Sequence, residues 1–405
     1  MKRFRITQWY STRNERKDVN ISSVDLALSI THSRFLTRLI LAFTLVSSGI
    51  FISAIGGSWD ISNHLLNKPE SFFSAPHGML YVGVASAIVG CSVMFRASKS
   101  IRGSYQLLGL STRLVIAGIS MLIVAGPVDF AWHSAFGLDG LLSPPHFVLL
   151  MGMIICSLGS LLGIKLCTNR NSLNDGCLLQ NGVCNWRSGT TGTFLFTRRP
   201  YITMILMIIG IMPLWLSLDG VVGMFSLPFS KTQYFDFNPD SSFAAVLATI
   251  SYPFLLSLIL ISSFLLGKNK FGVISITGSI YLAVSAATVI IPNESLISTL
   301  PFYIINLIPI IAVDVLLAIS KYRFLYSISL SGAILGSIFF MVQYPLITHV
   351  YNEVVTKQAF VWPSLTSSIY FGMIGTIYPL IVVPGIAMGI IGAITANRIV
   401  AHRIR

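Results

Sequence analysis

Residues 38–62 read RLILAFTLVSSGIFISAIGGSWDIS, an almost unbroken apolar run closed by Arg38 at one end and by Trp59 and Asp60 at the other. A hydrocarbon layer about 30 Å thick demands roughly 20 such residues in a helix that rises about 1.5 Å per residue. Runs of the same kind recur at 74–95, 112–133, 144–166, 201–220, 242–266, 271–291, 299–319, 324–348 and 366–396. The expected fold is therefore all-α, a polytopic membrane helix bundle of about 10 transmembrane helices. The composition of the 405 residues agrees, with 54% hydrophobic and only 10% charged, where a soluble domain carries about 25% charged residues. The apolar segments are continuous rather than alternating, which excludes a transmembrane β-barrel.

The formal charge of +13 encodes topology rather than a nucleic-acid partner. With the N-terminus placed inside, 24 of the 27 Lys and Arg fall on one side of the spans, and only Lys68, Lys231 and Lys357 fall on the other. By the positive-inside rule both termini are expected to be cytoplasmic, in a multi-pass protein of the cell membrane whose partners include membrane lipid and no nucleic acid. The segmentation is a polar segment at 1–37 without a cleavable signal, a transmembrane core at 38–166, a cytoplasmic loop at 167–200, a six-helix region at 201–396 and a basic tail at 397–405.

Acidic groups and imidazoles segregate the opposite way. Nine of the 14 acidic residues (Asp60, Glu70, Asp129, Asp139, Asp219, Asp236, Asp240, Glu294 and Glu353) and five of the seven histidines (His64, His77, His133, His146 and His349) fall on the extracytoplasmic side. The five cysteines, Cys91, Cys156, Cys167, Cys177 and Cys184, lie in spans or on the reducing side and lack a zinc-site CxxC pairing, so they read as structural.

Residues 57–83 and 126–152 align without a gap at a constant offset. Gly57 pairs with Gly126, Asp60 with Asp129, His64 with His133, Ser74 with Ser143, Pro76 with Pro145, His77 with His146, Leu80 with Leu149 and Gly83 with Gly152. Nearly all of these identities are polar or conformationally special, so 38–166 reads as a tandem parallel repeat of one helix pair, a duplicated four-helix core. Each copy contains Asp-x3-His-x12-His. The i,i+4 spacing stacks Asp60 with His64, and Asp129 with His133, on one helix face. The Pro-His step that opens the following helix returns His77 or His146 toward them. Two imidazoles and a carboxylate suit copper, iron or zinc. The metal ligands are thus expected to be Asp60, His64 and His77 for one ion, and Asp129, His133 and His146 for a second. The competing reading is a polar ring in which Asp and His bond one another at the helix ends.

Asp60-x3-His64-x12-His77 resembles a copper-binding motif of the membrane-bound copper monooxygenases, the particulate methane and ammonia monooxygenases, where it lies in an integral membrane component of the complex. In that family a second triplet follows at a similar distance with Asn in the first position, where this chain has Asp129. The resemblance covers about residues 38–166. It implies copper at both triplets, neighbouring membrane subunits of an oxidoreductase complex, and a monooxygenase-like reaction of oxygen with a small uncharged substrate. Two other classes fit the same residues: a metal-binding or transport protein of the outer face, and a zinc-dependent membrane hydrolase with Glu70 or Asp139 as base. A bis-His haem protein would leave Asp60 and Asp129 unexplained. Asp219 and His349 are candidate partners that orient the imidazoles, and Asp314 is either a proton-relay group or an interhelical hydrogen-bond acceptor.

Overall fold

The computed structural model describes residues 23–65, 68, 71–99, 106–137, 142–168, 200–226, 241–320, 324–343 and 378–403. Its helices are α1 (Ser23–Leu65), α2 (Ala75–Lys99), α3 (Gln106–Phe136), α4 (Pro144–Thr168), α5 (Pro200–Ser226), α6 (Ser241–Leu266), α7 (Val273–Ile290), α8 (Leu300–Ile305), α9 (Leu307–Ile319), α10 (Phe324–Ile334) and α11 (Tyr378–Arg403). Ten segments among the described residues are long and apolar enough to cross a membrane. The chain is a membrane-spanning helical bundle, as its sequence implies.

Three boundaries differ from the sequence reading. α1 begins at Ser23, so the step at residue 37 lies inside a continuous helix rather than at the end of a polar segment. The eighth span is two helices, α8 and α9, meeting at the buried Asn306. Pro309 explains the break, since its ring excludes the carbonyl four residues earlier and it has no N–H to donate. The last helix runs on through Arg403, so the basic tail continues it. The 167–200 loop with Cys177 and Cys184 lies almost wholly outside the described residues, as do Glu70, Asp139, Asp236, Asp240, His349, Glu353 and the start of the expected 366–396 span.

α1 packs on α2 and α3 on α4, and the two pairs cross in the same way. A side chain at Gly49 would strike the Gly83 carbonyl and the Ala87 nitrogen, and one at Gly118 would strike the Gly152 carbonyl and the Cys156 nitrogen. Gly90 lies against Ala42 and Val46, as Gly159 lies against Ser111 and Val115. Every one of these pairs keeps the offset of the sequence repeat, so the duplication extends through the membrane and not only through the polar turn. Small residues at such crossings let backbones approach closely, which is how helices associate where no hydrophobic effect separates them from lipid.

The pairs are joined by α1 lying against α4. Ser47 Oγ donates to Ser160 Oγ at 2.8 Å in the interior, and the Phe43 ring covers Gly163. α5 packs on α1, α4 and α6, while α11 closes on α6 and α10. That last contact is again a small-residue seam, with Gly332 and Gly336 facing Gly389 and Gly385. α10 continues into a π-helical turn, Leu335–Phe339. A π turn re-aims the side chains that follow it, and here it brings Phe339 and Phe340 to a central cavity.

Candidate metal centre

Pro76 and Pro145 each occupy the second position of their helix, where a missing N–H costs nothing. The turn before each is fixed by the same bond, Gly78 N to Ser74 O at 2.8 Å and Phe147 N to Ser143 O at 3.0 Å. His77 and His146 therefore point back at the ends of α1 and α3. His77 Nε2 lies 3.1 Å from Asp60 Oδ2, and His64 Nε2 lies 3.6 Å from the same oxygen. In the second copy His146 Nε2 and His133 Nε2 lie 3.4 and 3.6 Å from Asp129 Oδ1. All six expected residues sit at one end of the bundle, and each Asp faces the two imidazoles of its own copy.

The two triplets lie side by side. His64 stands 4.9 Å from His133 and 5.5 Å from His146, ring centre to ring centre, and His133 to His146 is also 5.5 Å. Ring nitrogens of these three histidines fall within 4.8 Å of one another. This group of possible ligands crosses the repeat boundary, with one residue from α1, one from α3 and one from α4. The packing of α1 on α4 is the reason, because it carries the end of the first pair into the second.

The hydrogen bonds bear on what the cluster can hold. His77 Nδ1 is 2.9 Å from the Ser71 carbonyl oxygen, and His133 Nδ1 is 3.2 Å from that of Gly137. A carbonyl can only accept, so Nδ1 carries the proton in each ring, and in a neutral imidazole the lone pair is then on Nε2. That lone pair faces a carboxylate oxygen. Two acceptors so close repel unless a cation stands between them, either a proton that makes imidazolium or a metal ion. Ligands at about 2.1 Å from one ion at a tetrahedral angle stand roughly 3.4 Å apart, close to the carboxylate–imidazole separations of both triplets. Asp129 Oδ1 and His146 Nδ1 are also buried without a hydrogen-bond partner among the described residues, which is costly for polar groups at membrane depth. The donor set, its spacing and its polarity fit a divalent or monovalent transition-metal ion.

The cluster forms one end of a cavity of about 470 Å³. Asp60, His77, Asp129, His133 and His146 line it, with Gly57 and Gly126 beside them. The other walls come from the six-helix region: Trp215 and Asp219 of α5, Tyr252 of α6, Tyr281 of α7 and Phe339 of the π turn. The cavity is thus lined from beyond 38–166 as well. Ser58 Oγ donates to Thr288 Oγ1 at 3.1 Å, and Lys68 Nζ donates to the Pro292 carbonyl, so the end of α7 is clasped to that of α1 beside the cluster.

Of the other residues singled out in the sequence, Asp219 faces this cavity and accepts a hydrogen bond from Tyr281 at 3.0 Å. Asp314 lies far along the chain at the opposite end of α7, where Gly272 N, Ser275 N and Ser275 Oγ all donate to its Oδ2. It caps a neighbouring helix. Three cavity residues, Tyr252, Tyr281 and Gln343, escape the sequence reading. Gln343, bonded to Asn306 Nδ2 at 2.8 Å, is legible as a polar group inside a span, whereas the tyrosines carry no such signal. Comparison of the chain with protein-family models, with curated proteins and with solved structures returns no match.

Proposed function

We propose that this membrane protein binds copper at the Asp60, His64, His77, Asp129, His133 and His146 cluster and serves as the copper-holding membrane component of an oxidoreductase that uses oxygen. The observation that carries the metal reading is the facing of carboxylate oxygens and Nε2 lone pairs in both copies, with Nδ1 of His77 and His133 held by backbone carbonyls. Such an outer hydrogen bond fixes the tautomer of a ligating imidazole and raises its basicity. The copper assignment and the oxygenase chemistry come from the spacing resemblance.

Bound copper would supply one-electron redox chemistry and a Lewis-acidic centre. The chain's own part is to hold two carboxylates and four imidazoles in fixed orientations, to exclude bulk water, and to present the cluster to a cavity. The apolar wall beside the imidazoles, with Leu149 and Leu150, suits a small uncharged substrate, and the proposed orientation sets this end of the bundle at the extracytoplasmic face.

Metal analysis by inductively coupled plasma mass spectrometry on protein purified in mild detergent tests the reading. Copper near one or two equivalents, lost in the double variant His77→Ala, His146→Ala, is the expected result. Zinc in its place would turn the assignment toward hydrolysis. No metal in either sample after reconstitution would leave an imidazolium–carboxylate ring and end the proposal.

A further inference from the structure

The wall of the cavity supplied by α5, α6, α7 and the π turn carries an ionisable group that the metal cluster does not use. Asp219 Oδ2 accepts from Tyr281 Oη at 3.0 Å, its only hydrogen bond among the described residues, and the side chain opens on the cavity. Among the described residues the lining contains three carboxylates, Asp60, Asp129 and Asp219, and no Lys or Arg. Asp60 and Asp129 each face two imidazoles, whereas Asp219 makes no ion pair among the described residues.

Tyr281, which donates to Asp219, belongs to a group of rings on the cavity wall. Trp215 and Tyr281 stack with centroids 4.0 Å apart and planes 5° from parallel. Phe339 is 6.5 Å from Tyr281, and Tyr252 is 6.4 Å from Phe340. All five rings line the same cavity. Ring faces present the negative end of a quadrupole and attract a cation placed within about 6 Å. A hard metal ion needs several oxygen ligands, of which this wall offers one carboxylate. An anion is repelled, and a hydrocarbon leaves the carboxylate desolvated and uncompensated. A weakly hydrated ammonium with apolar substituents satisfies the carboxylate and the rings together. The volume of about 470 Å³ falls in the range of about 300–1,000 Å³ that organic ligands occupy.

We propose that this wall is a binding site for an organic ammonium ion, its charged head held between Asp219 and the rings of Tyr281 and Tyr252. The proposal goes beyond the copper reading and uses none of the six triplet residues, so the two stand or fall separately.

The test is equilibrium dialysis of chelator-treated, full-length protein with labelled benzyltrimethylammonium, competed by neopentylbenzene, the uncharged carbon isostere of the same shape. Saturable binding at one site per chain is expected, with the isostere competing at least about tenfold more weakly. Asp219→Asn, which keeps an acceptor for Tyr281, should lower ammonium affinity about tenfold and leave neopentylbenzene binding unchanged. The double variant His77→Ala, His146→Ala should still bind the ammonium, and metal analysis of the same samples reads the copper proposal independently. Equal competition by the isostere in the unaltered protein overturns the inference without recourse to any variant. So does full ammonium affinity in Asp219→Asn, or binding lost only in the histidine variant, which would put the cation at the imidazole end.

Discussion

Two carboxylates show how one residue type meets two different surroundings. Asp314 and Asp219 are both acidic residues inside apolar helices, where insertion into a bilayer is penalised by up to about 2.5–3.5 kcal/mol at the helix centre and by less towards the ends. Asp314 meets that penalty locally, by accepting two backbone N–H groups and one hydroxyl at the start of α7. Gly272 takes φ 93° there, a backbone region that glycine enters freely, and this turns its N–H toward the carboxylate. Asp314→Ala should therefore cost about 2–3 kcal/mol by leaving these donors buried. Asp314→Asn should cost less, because the amide oxygen still accepts. Thermal unfolding in detergent measures both, and metal content should not change in either. A variant of undiminished stability would restore the proton-relay reading. The sequence leaves Asp314 open between relay and acceptor because a span with an acidic residue does not disclose which neighbour lies beside it. The histidines are more legible, since the i,i+4 rule and the Pro-His turn are local geometry.

At the scale of the helix, repeated glycines look alike in sequence and differ in what they do. Gly57 and Gly126 belong to the visible repeat, yet nothing lies within 4 Å of where their side chains would be, and both border the cavity. Gly49 and Gly118 escape the sequence reading because glycine is common in membrane spans, yet they sit on backbone of the paired helix. Gly49→Ala should separate α1 from α2 and destabilise by about 1–3 kcal/mol, the range for overpacking. Gly57→Ala should be neutral or stabilise by up to about 1 kcal/mol through helix propensity. Thermal melts of the two single variants decide the matter, and equal losses would mean that the crossing is not at Gly49. The span boundaries are readable to the extent that apolar length sets them. The break at Asn306 and the π turn at Leu335–Phe339 are not, because both depend on what the flanking helices accommodate, although Pro309 is the available hint for the first.

For the whole molecule the consequence of duplication is convergence. Two copies of a helix pair could place two ions far apart, and the repeat alone suggests one ion per copy. α1 also packs on α4 deep in the span, through Ser47, Ser160, Phe43 and Gly163, and at the polar ends His64 stands in one group with His133 and His146. A ligand that binds only the folded state stabilises it by mass action, about 2.7 kcal/mol at one hundred times its dissociation constant. Where the ligand bridges two elements, that stabilisation is shared by both. Copper should accordingly slow hydrogen exchange at the end of α1 and also at the start of α4, residues 144–153. In His64→Ala, which leaves Asp129, His133 and His146 untouched, the copper-dependent protection of 144–153 should fall along with that of α1. Protection of 144–153 that survives in full would mean two independent triplets, each serving its own helix pair. The cavity walls from α5, α6 and α7 would then enclose two ions acting singly rather than one coupled centre.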